Sequence, residues 1–86
     1  MNVSVIIPAY NEEKTLARTI SSIRRQDFVA DEIIVADGGS SDGTLDIAGA
    51  MADQVVVEKK RTISAGRQAG AKIAQGRWLA FADADA

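Results

Sequence analysis

Four short apolar runs punctuate the chain, at residues 3–7, 32–36, 54–57 and 78–82. The first three are rich in Val and Ile and do not alternate with polar residues. That pattern suits parallel strands buried on both faces. The fourth, Trp78-Leu79-Ala80-Phe81-Ala82, also reads as a buried strand. Between the runs lie three segments with helical spacing. In the first, Leu16, Ile20 and Ile23 fall at i, i+4 and i+7, with Asn11 as N-cap and Glu12 and Glu13 in the first turn. The second covers 44–52 and carries Ile47, Ala48 and Met51 on one face. The third stacks Ala65, Ala69 and Ile73, and Gly76 sits where a C-terminal stop belongs. Its small residues Gly66, Ala69, Gly70 and Ala74 would let that helix lie close to a sheet. The order βαβαβαβ predicts an α/β fold, a three-layer Rossmann-like parallel sheet with right-handed crossovers.

Open parallel sheets bind ligands at the carboxyl ends of their strands, so the residues after each run carry the chemistry. They are Pro8-Ala9-Tyr10-Asn11-Glu12, then Asp37-Gly38-Gly39-Ser40-Ser41-Asp42-Gly43-Thr44, then Glu58-Lys59-Lys60-Arg61, then Asp83-Ala84-Asp85. An aromatic ring, several carboxylates and a basic cluster are therefore expected on one rim. Asp37 ends an apolar strand, where a carboxylate is costly without a partner, and it reads as functional. Ser40, Ser41, Asp42 and Thr44 read either as turn and capping residues or as ligand contacts. Asp83 and Asp85 are two apart, so extended geometry points both side chains to one side. Like charges held together repel, and a hard divalent cation, Mg²⁺ or Mn²⁺, relieves that repulsion with all-oxygen ligation. Such an ion would also offset charge on a diphosphate leaving group.

Other signatures are excluded by what they lack. Gly39-Ser40-Ser41-Asp42-Gly43 matches the G-x-S-x-G nucleophile elbow, but the chain has no histidine to serve as base. No G-x-G-x-x-G follows the first run, and there is no G-x-x-x-x-G-K-[ST] loop.

Composition changes this picture little. The chain of 86 residues is 47% hydrophobic and 26% charged, as globular domains are. A domain this small buries only roughly 60–65% of its unfolded surface, so marginal stability is expected. Its net charge of −2, with both signs mixed along the chain, argues against nucleic acid as a partner. The absence of cysteine excludes a disulfide framework and thiolate metal sites, and fits a reducing compartment. The run at 3–7 is too short for a signal peptide, and nothing approaches the roughly 18 apolar residues of a membrane span.

Four motifs, in order and in register, resemble the N-terminal half of the family 2 glycosyltransferases of the GT-A fold. They are Val5-Ile6-Ile7-Pro8-Ala9-Tyr10-Asn11-Glu12, the stretch from Val35-Ala36-Asp37 to Gly43-Thr44, Gly66-Arg67-Gln68-Ala69-Gly70, and Asp83-Ala84-Asp85. The resemblance covers essentially the whole chain, so residues 1–86 would be the half that binds a nucleotide-diphospho-sugar, UDP- or GDP-linked. It implies a divalent metal, transfer of the sugar with inversion, and sheet order 3-2-1-4. By resemblance, Pro8, Ala9, Tyr10 and Glu12 line the nucleoside pocket and Asp37 hydrogen-bonds the base. Asp83 meets the ribose or the metal, Asp85 binds the metal, and Arg67 sits near the base or diphosphate. Gln68 departs from the Asn usual after that Arg. The family's acceptor site and catalytic base follow the D-x-D motif, so no catalytic residue is expected in this chain. The fourth strand would lie at a sheet edge and, left bare, would promote self-association. The expected location is the cytoplasm or the inner face of a membrane, with membrane association of a longer parent. The rival expectations are a non-catalytic nucleotide-binding or interaction module and a nucleotidyltransferase. The latter usually opens with a Gly-rich basic loop, which Pro8-Ala9-Tyr10-Asn11-Glu12 does not resemble.

Overall fold

The computed structural model describes residues 2–26 and 30–85. Its elements are β1 (Val3–Ala9), α1 (Leu16–Arg24), β2 (Glu32–Asp37), α2 (Thr44–Met51), β3 (Gln54–Val57), α3 (Ile63–Ile73) and β4 (Trp78–Phe81). The strands form one parallel sheet in the order β3-β2-β1-β4, as expected. Side chains alternate across a strand. Val5, Ile7 and Ala9 of β1, with Ile33 and Val35 of β2, join Leu16, Ile20 and Ile23 of α1 and Ala48 of α2 in one buried cluster. Ile6 and Pro8 point the other way, against α3. The result is three layers, with α1 and α2 on one face and α3 on the other.

Several local expectations change. Asn11 does not cap α1. It adopts a left-handed backbone, φ 51°, which Asn tolerates better than most residues. Glu12 and Glu13 precede the helix, whose first residue is Leu16. The Glu12 carbonyl instead accepts hydrogen bonds from the Thr15 and Leu16 N–H groups. On α3 the fully buried positions are Gly66 and Gly70, while Ala65, Ala69 and Ile73 are only half-buried. Gly76 is not a left-handed stop either. Residue 74 caps the helix in extended conformation, and a Cβ on Gly76 would strike Ser4 of β1. Burial on both faces holds for the central strands β1 and β2 only. Residues of β3 are half-buried or exposed, and in β4 Trp78 is 72% exposed. Both are edge strands, covered on one side of the ladder alone.

A buried polar network closes the end of the sheet opposite the rim. Glu32 is 2% exposed, and its carboxylate accepts from the Ser4 hydroxyl at 2.7 Å, the Gln75 N–H at 2.9 Å and the Gln54 amide at 2.6 Å. Gln54 also donates to the Ile73 carbonyl at the end of α3. Burial pushes the Glu32 carboxyl up, but these hydrogen bonds outweigh it and hold the group below the usual Glu value. Asp31 is lowered by the Val3 and Asn2 N–H groups, which tie it to the start of β1. Asp42 is lowered first by the Thr44 hydroxyl.

A carboxyl lowered by folding stabilises the fold above its unfolded value and loses that contribution as pH falls through the folded one. Thermal stability should therefore hold from neutral pH down to the ordinary Glu value of 4.5 and decline steadily below it. Glu32→Gln should melt lower than wild type at pH 7 and show a shallower acid decline. Parallel curves for the two proteins, by circular dichroism, would remove Glu32 from the titrating set.

Candidate donor-binding cleft

The carboxyl ends of β1, β2 and β4 and the N-terminal turn of α3 enclose a cleft of about 370 Å³. The loops after β1 and β2 are stitched together beside it. The Asn11 N–H donates to the Ser40 hydroxyl, and the Ser41 N–H to the Asn11 side-chain oxygen. The Glu12 N–H donates to the Thr44 hydroxyl, and the Gly43 N–H to the Glu13 carboxylate. Ser40, Asn11 and Thr44, with Asp42 accepting from the Glu13 N–H at 3.3 Å, thus serve as loop-to-loop ties, the structural side of the two readings open for the second loop. These bonds fix the two loops against each other.

Pro8, Ala9, Tyr10 and Glu12, which end and follow β1, line it together with Asp83 and Asp85, which follow the neighbouring β4. The two aspartates are not extended as their spacing suggested. β4 ends at Phe81, and residues 84 and 85 form a turn. What aims them is the residue between. Ala84 is buried in the core cluster, and its carbonyl accepts from the hydroxyls of Thr15 and Thr19 at 3.0 and 2.9 Å. That anchors the turn to the start of α1 and leaves both carboxylates exposed on the cleft. No group of three acidic, His or Cys side chains close enough to hold a metal occurs among the described residues. Two carboxylates would leave most positions of a six-coordinate ion to phosphate oxygens and water. The donor set therefore fits an ion that arrives with a diphosphate.

Two residues singled out in the sequence lie elsewhere. Asp37 is fully buried, and its oxygens accept from the Gly39 and Ser40 N–H groups, both at 2.8 Å, and the Ser40 hydroxyl at 2.6 Å. Its carboxylate is the hub of its own loop; the flanking Ala36 and Gly38 line the cleft and Asp37 does not. Arg67 sits outside as well, its guanidinium 5.1 Å from the centre of the Phe81 ring on β4. Conversely, Gly38, Glu58, Arg61, Thr62, Ile63 and Gly66 line the cleft without having been singled out as site residues. The basic run ending in Arg61 was the signal for one of them. Thr62 caps α3 by accepting from the Ala65 N–H at 3.0 Å. The helix therefore turns its partial positive end to the cleft, where anions are favoured.

This arrangement has counterparts among known proteins. The glycosyl transferase family 2 model matches residues 4–86. The chain is 38% identical over 87 residues to the Escherichia coli UDP-Glc:alpha-D-GlcNAc-diphosphoundecaprenol beta-1,3-glucosyltransferase WfaP, covering 96% of this chain and 35% of that protein. It superposes on S. aureus TarS in complex with UDP-GlcNAc with a TM-score of 0.79 at 30% identity, over 99% of this chain and 27% of the other. Glucosyl-3-phosphoglycerate synthase from Mycobacterium tuberculosis, in complex with Mn²⁺, UDP and glucosyl-3-phosphoglycerate, matches with a TM-score of 0.78 at 30% identity, over 96% and 33% of the two chains. The chain thus spans about a third of the length of the E. coli relative it matches. With its sheet order, its three layers and a family match over nearly its full length, the chain has the GT-A fold and belongs to glycosyl transferase family 2.

Proposed function

We propose that this chain binds the nucleotide-diphospho-sugar donor of an inverting glycosyltransferase, and that the donor is UDP-linked. The observation that carries this is one cleft lined both by Pro8, Ala9 and Tyr10 and by Asp83 and Asp85. The apolar and aromatic wall suits a nucleoside. The carboxylate pair suits a metal-bound diphosphate. The solved UDP and UDP-GlcNAc complexes of relatives support uridine as the base.

Asp83 and Asp85 would hold a divalent ion, which would neutralise charge on the diphosphate as the sugar departs. The N-terminal turn of α3 adds its own attraction for the anion. Glu12, Gly38 and Tyr10 line the cleft and would bound its nucleoside end. Transfer to an acceptor is proposed for the whole protein. The E. coli relative's name places its acceptor on diphosphoundecaprenol, which supports a whole protein that works on a lipid-linked acceptor. No helix among the described residues is long and apolar enough to cross one.

Titration calorimetry with UDP, with and without Mn²⁺, tests the reading. Binding is expected in both conditions and tighter with the ion. Failure to bind UDP in either would sink it.

We also propose that the chain self-associates through β4. This edge exposes Trp78, Leu79 and Phe81 beside an unpaired strand ladder, a template for a second chain. Light scattering should report a mass that rises with concentration, and Leu79→Lys should lower it. A constant monomer mass would contradict this.

A further inference from the structure

Three neighbouring strand ends meet at one point on the cleft wall. Tyr10 follows β1, Gly38 follows β2, and Arg61 follows β3. The Arg61 guanidinium lies 4.5 Å from the centre of the Tyr10 ring, and its Nε donates to the Gly38 carbonyl at 3.1 Å. A Cβ on Gly38 would meet the Arg61 Cγ and the Tyr10 Cδ1, both at 3.3 Å, so Gly38 leaves room for the two side chains to close over it. Arg61 reaches this position with φ 60°. Asn11 is the one other described non-glycine residue at positive φ, and Asn tolerates it. Arg has no such excuse. Strain of this kind persists where surrounding contacts over-determine it, and it concentrates at ligand-binding sites.

We propose that Arg61 is a positioning residue: it fixes the Tyr10 ring as a rigid wall of the cleft, against which the flat heterocycle of the donor's base lies. This deepens the donor-binding reading and rests on it. Left alone, Tyr10 would be a half-exposed side chain at a loop start, free to change rotamer, and binding would have to order it. The guanidinium covers part of the ring, and the Nε bond to Gly38 holds that guanidinium in turn. A planar fork can satisfy both contacts at once; an ammonium group cannot. The partner chemistry is thus an aromatic base, and the residue's effect should be felt at the nucleoside rather than at the diphosphate.

The chain has a single tyrosine, so Tyr10 can be observed without ambiguity. With ¹³C-labelled tyrosine, its ring signals in the free wild-type protein should be displaced from those of an unstructured tyrosine. They should move toward the unstructured position in Arg61→Gly and Arg61→Lys. Arg61→Gly removes the strain of the positive φ together with the two contacts, so its melting temperature should stay near that of wild type. Uridine and UDP affinities should fall in both variants by the same factor, about three- to tenfold. Three results would overturn the proposal: unchanged tyrosine signals, full affinity in Arg61→Lys, or a loss confined to UDP, which would mark a direct diphosphate contact. A wild-type chain that binds neither ligand fails at the donor-binding reading and takes this inference with it. Wild-type binding that the variants match fails at Arg61 alone.

Discussion

Gly70→Val is expected to unfold at a much lower urea concentration than the wild type. A Cβ at this position would stand 2.4 Å from the Ile6 Cγ2 and 3.1 Å from its Cγ1. Ile6 cannot yield. It is fully buried, β-branched, and sits on β1, which is paired with β2 on one side and β4 on the other. The helix must therefore lift off the sheet. In a helix interior, alanine would gain about 1 kcal/mol over glycine. Overpacking a well-filled site costs about 1–3 kcal/mol or more, and here even the first added carbon clashes. Gly70→Ala should thus be mildly destabilised and Gly70→Val by about 3 kcal/mol or more. A domain of this size has only about 4–13 kcal/mol to lose. Gly49 supplies the control. It lies in α2, where an added Cβ meets nothing within 4 Å, so Gly49→Ala should stabilise by about 0.5–1 kcal/mol. Urea unfolding followed by circular dichroism reads all three. A Gly70→Ala variant as stable as Gly49→Ala would refute the close approach of α3 to β1.

Asp85→Ala should abolish the Mn²⁺-dependent part of UDP binding and leave uridine binding intact. The carboxylate is exposed on the cleft, held there by the anchored Ala84 carbonyl, so its removal should not disturb the fold. Loss of groups that merely support a metal ligand costs about 10–100-fold in metal affinity, and loss of a ligand itself belongs at the upper end of that range. Asp83→Ala separates the two roles open to Asp83. If it meets the ribose, uridine affinity falls too; if it meets only the ion, uridine affinity is unchanged. Equal Mn²⁺-dependent affinity in wild type and Asp85→Ala would remove the metal assignment.

The candidate site was partly legible in the chain. Six of the eight residues named for it line the cleft: Pro8, Ala9, Tyr10, Glu12, Asp83 and Asp85. The rule that ligands meet the carboxyl ends of parallel strands placed them, once the strands were found. Asp37, read as functional from its place at a strand end, and Arg67, placed by resemblance, have other partners here, the loop's own donors and the Phe81 ring. Arg61 came into view only as part of a charged run. Its importance lies in a backbone angle and a ring contact that no local pattern encodes.

The sequence by itself determined the four strands, the three helices and their alternation, because periodicity and local propensity depend on residues within a few positions of one another. From alternation alone came the parallel sheet, since a crossover helix forces it. Tertiary structure decided the rest. The loops after β1 and β2 are locked by hydrogen bonds between residues 29 to 32 positions apart, and those bonds, not the capping preference of Asn11, set where α1 begins. The edge strands β3 and β4 are apolar enough to be buried, yet their residues are half-buried or exposed, since burial depends on what lies alongside. The aspartate pair faces the cleft because Thr15 and Thr19 hold the carbonyl between them, a contact 65 to 69 residues long in sequence. Short-range preferences choose the elements; long-range contacts choose which atoms meet.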